Sequence, residues 1–306
     1  ALVQQPLSFG ITPDGNIITR KIRLLGDVLK LRRLLNGLHP HLIIATEYPF
    51  TAAAILAGGR KKSKVISWEH HHYYELKRNS FWNNVFRLTY PRLDAIVCLN
   101  EDEQKLFAAI NPKSLVIPNF IETTEKKILK NKRILTVARL TAVKGIDHLL
   151  QTAKEVLNTN PDWQWKIIGD GEMKEAVLAF TEKEKLINKL ILQQPVDHNI
   201  ISEYQQASLY VMTSRNECFP MTLLEAQSAG LPCIAFDCDS GPRHIITGEN
   251  GILVEKENTT KLAEAISSLI KNVEQRDKMS VKAIENVQRF SPALVYAKWE
   301  ETIFTL

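Results

Sequence analysis

Cysteine is scarce in this chain of 306 residues: Cys98, Cys218, Cys233 and Cys238 form no CxxC pair and no regular spacing. That excludes a disulfide framework and points to reduced thiols in a cytosolic setting. Long apolar runs are missing as well, none approaching the ~20 residues that a membrane helix needs. No signal peptide is legible, although the chain begins at Ala1 without Met. Acidic residues are short in the first part, where residues 1–121 hold 16 Lys/Arg against 9 Asp/Glu, a net +7, while the remainder holds 23 against 25, a net −2. A basic first half can attract an anionic membrane surface, a lipid diphosphate or nucleic acid, or can simply be solvated helix faces. At 44% apolar and 24% charged the composition is that of a soluble globular protein, long enough for two ordinary domains.

What is present is alternation. Between residues 18 and 38 apolar side chains recur at helical spacing among Arg20, Lys21, Arg23, Lys30, Arg32 and Arg33, which fits a surface helix covering a sheet better than a membrane-surface helix. Short apolar runs at 42–47, 64–69 and 95–100 are predicted strands, with helices at 49–58, 80–90 and 101–110 between them. Strands spaced by such helices imply a parallel, doubly wound sheet. Residues 122–131, ETTEKKILKN, are charged without an apolar face and read as a linker. The second half repeats the pattern: ILTVA with a helix over 145–157, WQWKIIG with a helix from Glu172, LILQQ with a helix near 199–206, and later helices at 258–272 and 273–288. The expected domains are therefore 1–121 and 132–288, with a terminal helix in 289–306.

Residues 210–254 organise the rest. LYVMTS reads as a strand, Asn216, Glu217 and Cys218 turn the chain, and Pro220 is expected at the first helical position, where its missing N–H costs nothing. A helix over 221–229 ends at Gly230, and PCIAF is the next strand. A strand, a tight turn and a helix N-terminus leave backbone N–H groups free at the sheet edge, a ready phosphate site. Glu217 and Glu225 lie eight residues apart, about two turns at ~3.6 residues per turn, so both can face one ligand. Carboxylates beside a phosphate accept sugar hydroxyls, which suggests a sugar phosphate, yet two Glu at this spacing are also common in any helical protein.

The stretch as a whole is more specific. Glu217, Cys218, Phe219, Pro220, Met221, Leu224, Glu225, Ala226, Ala229, Gly230 and Pro232 resemble the E-G-F-P-M-x-x-L-E-A-x-A-x-G-x-P signature of family 4 of retaining glycosyltransferases, with Cys218 where Gly is usual. Ala138-Arg139-Leu140 through Lys144-Gly145 resembles that family's G-R-L-x-x-x-K-G, with Ala138 replacing Gly. The resemblance covers about residues 40–303. It implies an α/β GT-B fold, two Rossmann-like domains with parallel sheets facing a cleft, and a terminal helix packing back on the first domain. Family members begin with a strand and a Gly-rich turn that residues 1–17 do not match, so either the chain is a fragment or it does without that element.

Resemblance also implies roles. Glu217 would meet the donor sugar, Glu225 the ribose, and Arg139 with Lys144 the diphosphate, where a cationic pair stabilises charge growing on the leaving group. Phe219, Pro220, Met221 and Thr222 would line the donor site at the helix start, Gly169 and Gly171 of the G-D-G turn its floor, and Pro195 the border of the base. In Trp68–Tyr74, WEHHHYY, His70 is the candidate facing the donor sugar, with Glu69 its neighbour; His71 and His72 read as loop, and Tyr73, Tyr74 and Trp82 as either stacking surface or packed aromatics. Asp237 and Asp239 have the D-x-D form of metal-dependent glycosyltransferases of another fold, but their setting argues against a metal site, and no cofactor is expected. His244 stands where a related G-P-x-E-I-I segment has Glu.

The expected activity is retaining transfer of a hexose or N-acetylhexosamine from a UDP-sugar to a saccharide or polyprenyl-diphosphate-linked acceptor in bacterial surface polysaccharide synthesis. The expected location is the cytoplasm, with peripheral membrane contact through the basic half and no nucleic-acid partner. Two alternatives remain open at this point: a non-catalytic nucleotide-sugar-binding GT-B partner protein, and, fitting the two-Glu stretch less well, a nucleotide-sugar epimerase.

Overall fold

Brief β-rich runs separated by amphipathic helices can bury both strand faces only in a parallel sheet covered on each side. The computed structural model has this architecture and describes residues 17–59, 63–75, 78–123, 131–195 and 200–306. Residue contacts divide the chain into two units, Ala1–Ile117 with Trp299–Leu306, and Pro118–Lys298. The division falls ahead of the linker expected at 122–131, most of which lies outside the described residues, as do all but the last residue of 1–17, where a departure is expected, and the segment 196–199 after Pro195.

In the first unit the order is α1 (Ile17–Leu38), β1 (Leu42–Thr46), α2 (Glu47–Leu56), β2 (Lys64–Trp68), α3 (Ser80–Thr89), β3 (Ala95–Cys98), α4 (Glu101–Ala108) and β4 (Ser114–Val116). Among the described residues its strands pair in parallel in the order β1-β2-β3-β4. The helical spacing of α1 is used as expected, since Leu24, Val28, Leu31 and Leu35 pack with Ala53 and Ala57 at the end of α2 while Leu25 and Leu29 stay exposed. Asparagines start two helices: the Asn79 side chain accepts from the Trp82 N–H at 3.0 Å and Asn100 from that of Glu103 at 2.9 Å.

The second unit runs β5 (Arg133–Val137), α5 (Ile146–Thr159), β6 (Gln164–Ile168), α6 (Lys174–Lys183), β7 (Leu190–Gln193), α7 (Ile200–Gln205), β8 (Leu209–Met212), α8 (Met221–Ser228), β9 (Cys233–Asp237), β10 (Gly251–Glu255), α9 (Thr259–Lys271) and α10 (Val273–Val287). A last helix, α11 (Pro292–Thr305), is divided between the units at Trp299. Asn272 separates α9 from α10, its side chain accepting from the Gln275 N–H at 3.0 Å.

The parallel strand order here is β10-β9-β8-β5-β6-β7. The chain lays β6 and β7 on one side of β5 and then returns to build β8, β9 and β10 on the other. Connections leaving the C-terminal ends of β5 and β8 therefore part in opposite directions, and the crevice between them is where open α/β sheets bind ligands. Beneath that crevice, fully buried Trp165 of β6 donates from Nε1 to Thr136 Oγ1 at 3.0 Å, and the Thr136 hydroxyl donates to the Val211 carbonyl at 2.8 Å. This polar chain crosses β6, β5 and β8 with each member satisfied.

All four cysteines are buried and outside any disulfide, and burial pushes the Cys238 thiol up to about 12. No helix among the described residues is long and apolar enough to cross a membrane.

Replacing Thr136 by Val keeps the shape of the side chain but strands the Trp165 indole N–H inside the core. Urea denaturation of Thr136→Val is expected to show a loss of about 1–3 kcal/mol, the cost of one buried unsatisfied donor; a midpoint equal to that of the parent chain would contradict this.

Candidate functional site

A crevice of about 720 Å³ opens at the C-terminal ends of β5, β6 and β8. It gathers Arg139, Lys144, Gly169, Pro195, Glu217, Phe219, Pro220, Met221, Thr222 and Glu225, residues singled out from four separate sequence segments. Val137, Ala138, Ile168, Asp170, Ile200, Met212 and Ser214 complete its lining. Gly171 and His70 are not part of this lining.

The polar groups are ordered by one another. Glu217 Oε1 accepts from Lys144 Nζ and from Ser214 Oγ, both at 2.6 Å, and the Lys144 and Glu217 side chains are only 20% and 14% exposed. The proposed phosphate-binding ammonium and the proposed sugar-facing carboxylate are thus ion-paired with each other, which their distance in sequence conceals. Arg139 is exposed on the rim, with no ion-pair partner among the described residues. Across the crevice, Glu225 Oε2 accepts from the Tyr204 hydroxyl at 2.6 Å. Tyr204 is almost fully buried, and burial first, then the neighbouring Tyr210 and Glu225, raises its hydroxyl well above the usual value, so it remains a donor.

Local sequence explains these placements. Pro220 lies one residue before α8 rather than at its first position: its backbone (φ −72°, ψ 103°) is extended, and its carbonyl accepts from the Leu223 N–H at 3.1 Å, the role of an N-cap backbone. Helix α8 points its N-terminus into the crevice beside Met221 and Thr222. Gly145 is left-handed (φ 63°), and a Cβ there would stand 1.9 Å from the Thr213 carbonyl oxygen, so the loop after β5 lies directly on the end of β8.

Gly171 has a different job from the pocket floor expected of it. Its φ of 152° and the Leu140 carbonyl oxygen, 2.6 Å from where a Cβ would be, make it a packing glycine behind the site. Asp170, between the two glycines, lines the crevice instead. Tyr204 and Ser214 were also not singled out. Ser214 falls at the end of the run LYVMTS that reads as a strand, whereas β8 stops at Met212 and leaves it in the turn with Glu217; Tyr204 carries no local signal, because its partner is 21 positions away.

His70 follows β2 in the first unit. It is half-buried against Trp68, ring centroids 4.5 Å apart, and burial lowers its pKa below the usual 6.5, opposed by Glu47. Its neighbours are not free loop residues. His71 Nε2 pairs with Glu47 Oε1 at 2.7 Å, and buried His72 pairs through Nδ1 with Glu103. Glu69 turns away into the core, where it accepts from the Ser67 and Tyr90 hydroxyls and where burial raises its pKa. Tyr73 packs against Phe107 at 5.1 Å and Phe86 at 6.3 Å, whereas Tyr74 is 71% exposed. Tyr73 is therefore a packed aromatic and Tyr74 an exposed one.

The two aspartates of the D-x-D segment face cations. Asp237 pairs with Arg243 at 2.9 Å and Asp239 with Lys256 at 3.0 Å. Among the described residues no group of three or more His, Cys, Asp or Glu is arranged to hold a metal ion.

Comparison with known proteins gives two family matches, "Glycosyl transferases group 1" over residues 120–286 and "Glycosyltransferase Family 4" over residues 10–125. The chain is 34% identical over 227 residues to an exopolysaccharide phosphotransferase of Streptomyces coelicolor, covering 71% of this chain and 24% of that protein. It is 34% identical over 175 residues to the amylovoran biosynthesis glycosyltransferase AmsD of Erwinia amylovora, covering 57% of this chain and 48% of that protein. It thus spans from about a quarter to about half of the length of these relatives. Among solved structures, Anabaena HepE in complex with UDP superposes with a TM-score of 0.82 at 18% identity, over 92% of this chain and 82% of the other, a likeness of fold.

With its pKa lowered by burial, His70 is neutral at pH 7, and it binds fewer protons than in the unfolded chain as pH falls through 6.5, so it opposes folding on the acid side. Its imidazole resonances, assigned with a His70→Gln variant, are expected to titrate with a midpoint below 6.5. A midpoint above that value would contradict the role of burial.

Proposed function

The chain belongs to the glycosyl transferases group 1 family, and from that premise we propose that it transfers a hexose or N-acetylhexosamine, with retention, from a UDP-sugar to a saccharide acceptor in bacterial surface polysaccharide synthesis. The observation that carries this reading is the meeting of Lys144, Arg139, Glu217 and Glu225 around one crevice at the N-terminus of α8. Two cations and a helix N-terminus suit a diphosphate; two carboxylates suit the hydroxyls of the sugar and the ribose on either side of it. The Anabaena structure contains UDP and the Erwinia relative takes part in amylovoran biosynthesis, which supports the donor and acceptor classes. A lipid-linked acceptor at a membrane surface suits the net +7 of residues 1–121.

In the proposed reaction the bond from the anomeric carbon to the diphosphate oxygen breaks and a bond to the acceptor hydroxyl oxygen forms on the same face. The acceptor proton passes to the departing diphosphate, so no separate protein base is required. Arg139 and Lys144 stabilise the negative charge gathering on the diphosphate, and Glu217 the positive charge developing on the sugar. Because the cations already neutralise the leaving group, transfer is expected to survive EDTA; complete loss restored by manganese would overturn that part of the reading.

The ion pair between Lys144 and Glu217 sharpens the test. Arriving diphosphate competes with Glu217 for the ammonium, so Glu217→Gln should lower kcat strongly while free-UDP affinity is kept or improved. Arg139→Ala should weaken UDP by about 1.5–3 kcal/mol, roughly ten- to a hundredfold in Kd. Glu225→Gln should mainly raise the donor KM. Calorimetry with UDP and GDP checks the affinities and initial rates with the UDP-sugar check kcat and KM; binding of UDP-sugars without transfer or hydrolysis would sink the enzyme reading.

A further inference from the structure

The turn between β8 and α8 contains an arginine whose engagement the reaction outlined above does not use. Arg215 has five N–H donors, and each has an acceptor. Nη1 and Nη2 grip Asp147 at 2.8 and 2.7 Å in a bidentate fork, Nη1 also donates to the Ala142 carbonyl at 2.6 Å, Nη2 to His148 Nε2 at 2.7 Å, and Nε to Glu257 at 3.0 Å. Guanidinium only donates, so His148 Nε2 is the acceptor in that contact. Asp147 lies in the first turn of α5, and burial does not decide its state: the hydrogen bonds from Arg215 hold its carboxyl at about 2.

These contacts reach the loop that ends in Lys144. Beside the Nη1 bond to Ala142, the Arg215 N–H donates to the Val143 carbonyl at 2.8 Å, and Thr213 Oγ1 donates to the Lys144 carbonyl at 3.1 Å. Val143 itself is exposed, so the loop has little apolar packing of its own at that point. An isolated surface ion pair would say little. A planar fork with all five donors satisfied by an adjacent loop, the start of α5 and Glu257 is a built joint, and lysine cannot reproduce it.

We propose that Arg215 is a positioning residue that fixes the Lys144 loop to the Glu217 turn, so that the diphosphate-binding ammonium and the sugar-facing carboxylate keep one mutual geometry. The sequence between them does not supply this rigidity: Lys144 and Glu217 are brought together across 73 positions, and Arg215 sits two residues before the carboxylate it aligns. The assignment rests on the crevice being the donor site, and it identifies what holds that site in register.

The test is a cycle on the full chain, with UDP titrated calorimetrically into the parent, Arg215→Ala, Lys144→Ala and the double variant. Arg215→Ala is expected to weaken UDP about tenfold in the parent background and to have no further effect once Lys144 is gone, because it acts through that residue. Losses that multiply in the double variant would overturn the proposal, since a general loss of structure would act equally in both backgrounds. Arg215→Lys keeps the charge without the fork and should resemble Arg215→Ala. If Arg215→Ala does not fold, Asp147→Asn takes its place in the same cycle. A parent chain that fails to bind UDP would instead overturn the donor-site reading. The joint is then decided by hydrogen exchange: amides of Arg215, Lys144 and Gly145 exchanging at least about tenfold faster in the variant, with the sheet unaltered, support it, and unchanged exchange overturns it.

Discussion

The pairing of β5 with β8 is the constraint on which the second unit depends. Two strands far apart in sequence lie side by side, Ile134 against Leu209 and Leu135 against Tyr210, and their outgoing loops must diverge. Everything in the crevice follows from that divergence. Arg139 and Lys144 arrive on one loop and Ser214 and Glu217 on the other, while the Thr136 hydroxyl ties the strands through the Val211 carbonyl below. Gly145 allows the two loops to touch, because any side chain there would meet the Thr213 carbonyl.

The crevice holds one ion pair, between residues from its two opposing loops. Lys144 and Glu217 neutralise one another at 2.6 Å, and both are mostly withdrawn from water, where a lone ammonium or carboxylate would be costly. Glu225 is treated differently, accepting from the neutral hydroxyl of Tyr204 rather than from a cation. The two glutamates therefore differ, Glu217 being paired with an ammonium that an anion can draw away and Glu225 only with a hydroxyl.

Much of this was legible in the sequence, for physical reasons. Strands and helices were readable because parallel sheets demand continuous apolar runs, whereas the asparagine caps at 79, 100, 258 and 272 come to light only in the structure. The site segments were readable because a sheet edge, a turn and a helix start recur in order. What escaped were partners set by tertiary contact. Tyr204 against Glu225 and Lys144 against Glu217 depend on which strands become neighbours, and no local pattern encodes that. The partners of His71 and His72 escaped for the same reason: both read as loop, and each is held by a carboxylate from another element. Pro220 was misplaced by one residue because proline serves a first helical position and the residue before it almost equally well.

The contact between Trp68 and His70 has a use beyond packing. An imidazolium close to an indole quenches its excited state, while the neutral ring does so far less. The rings lie 4.5 Å apart and Trp68 also lies 5.2 Å from Trp299, so among the five tryptophans of the chain it is this pair of indoles that a proton on His70 would dim.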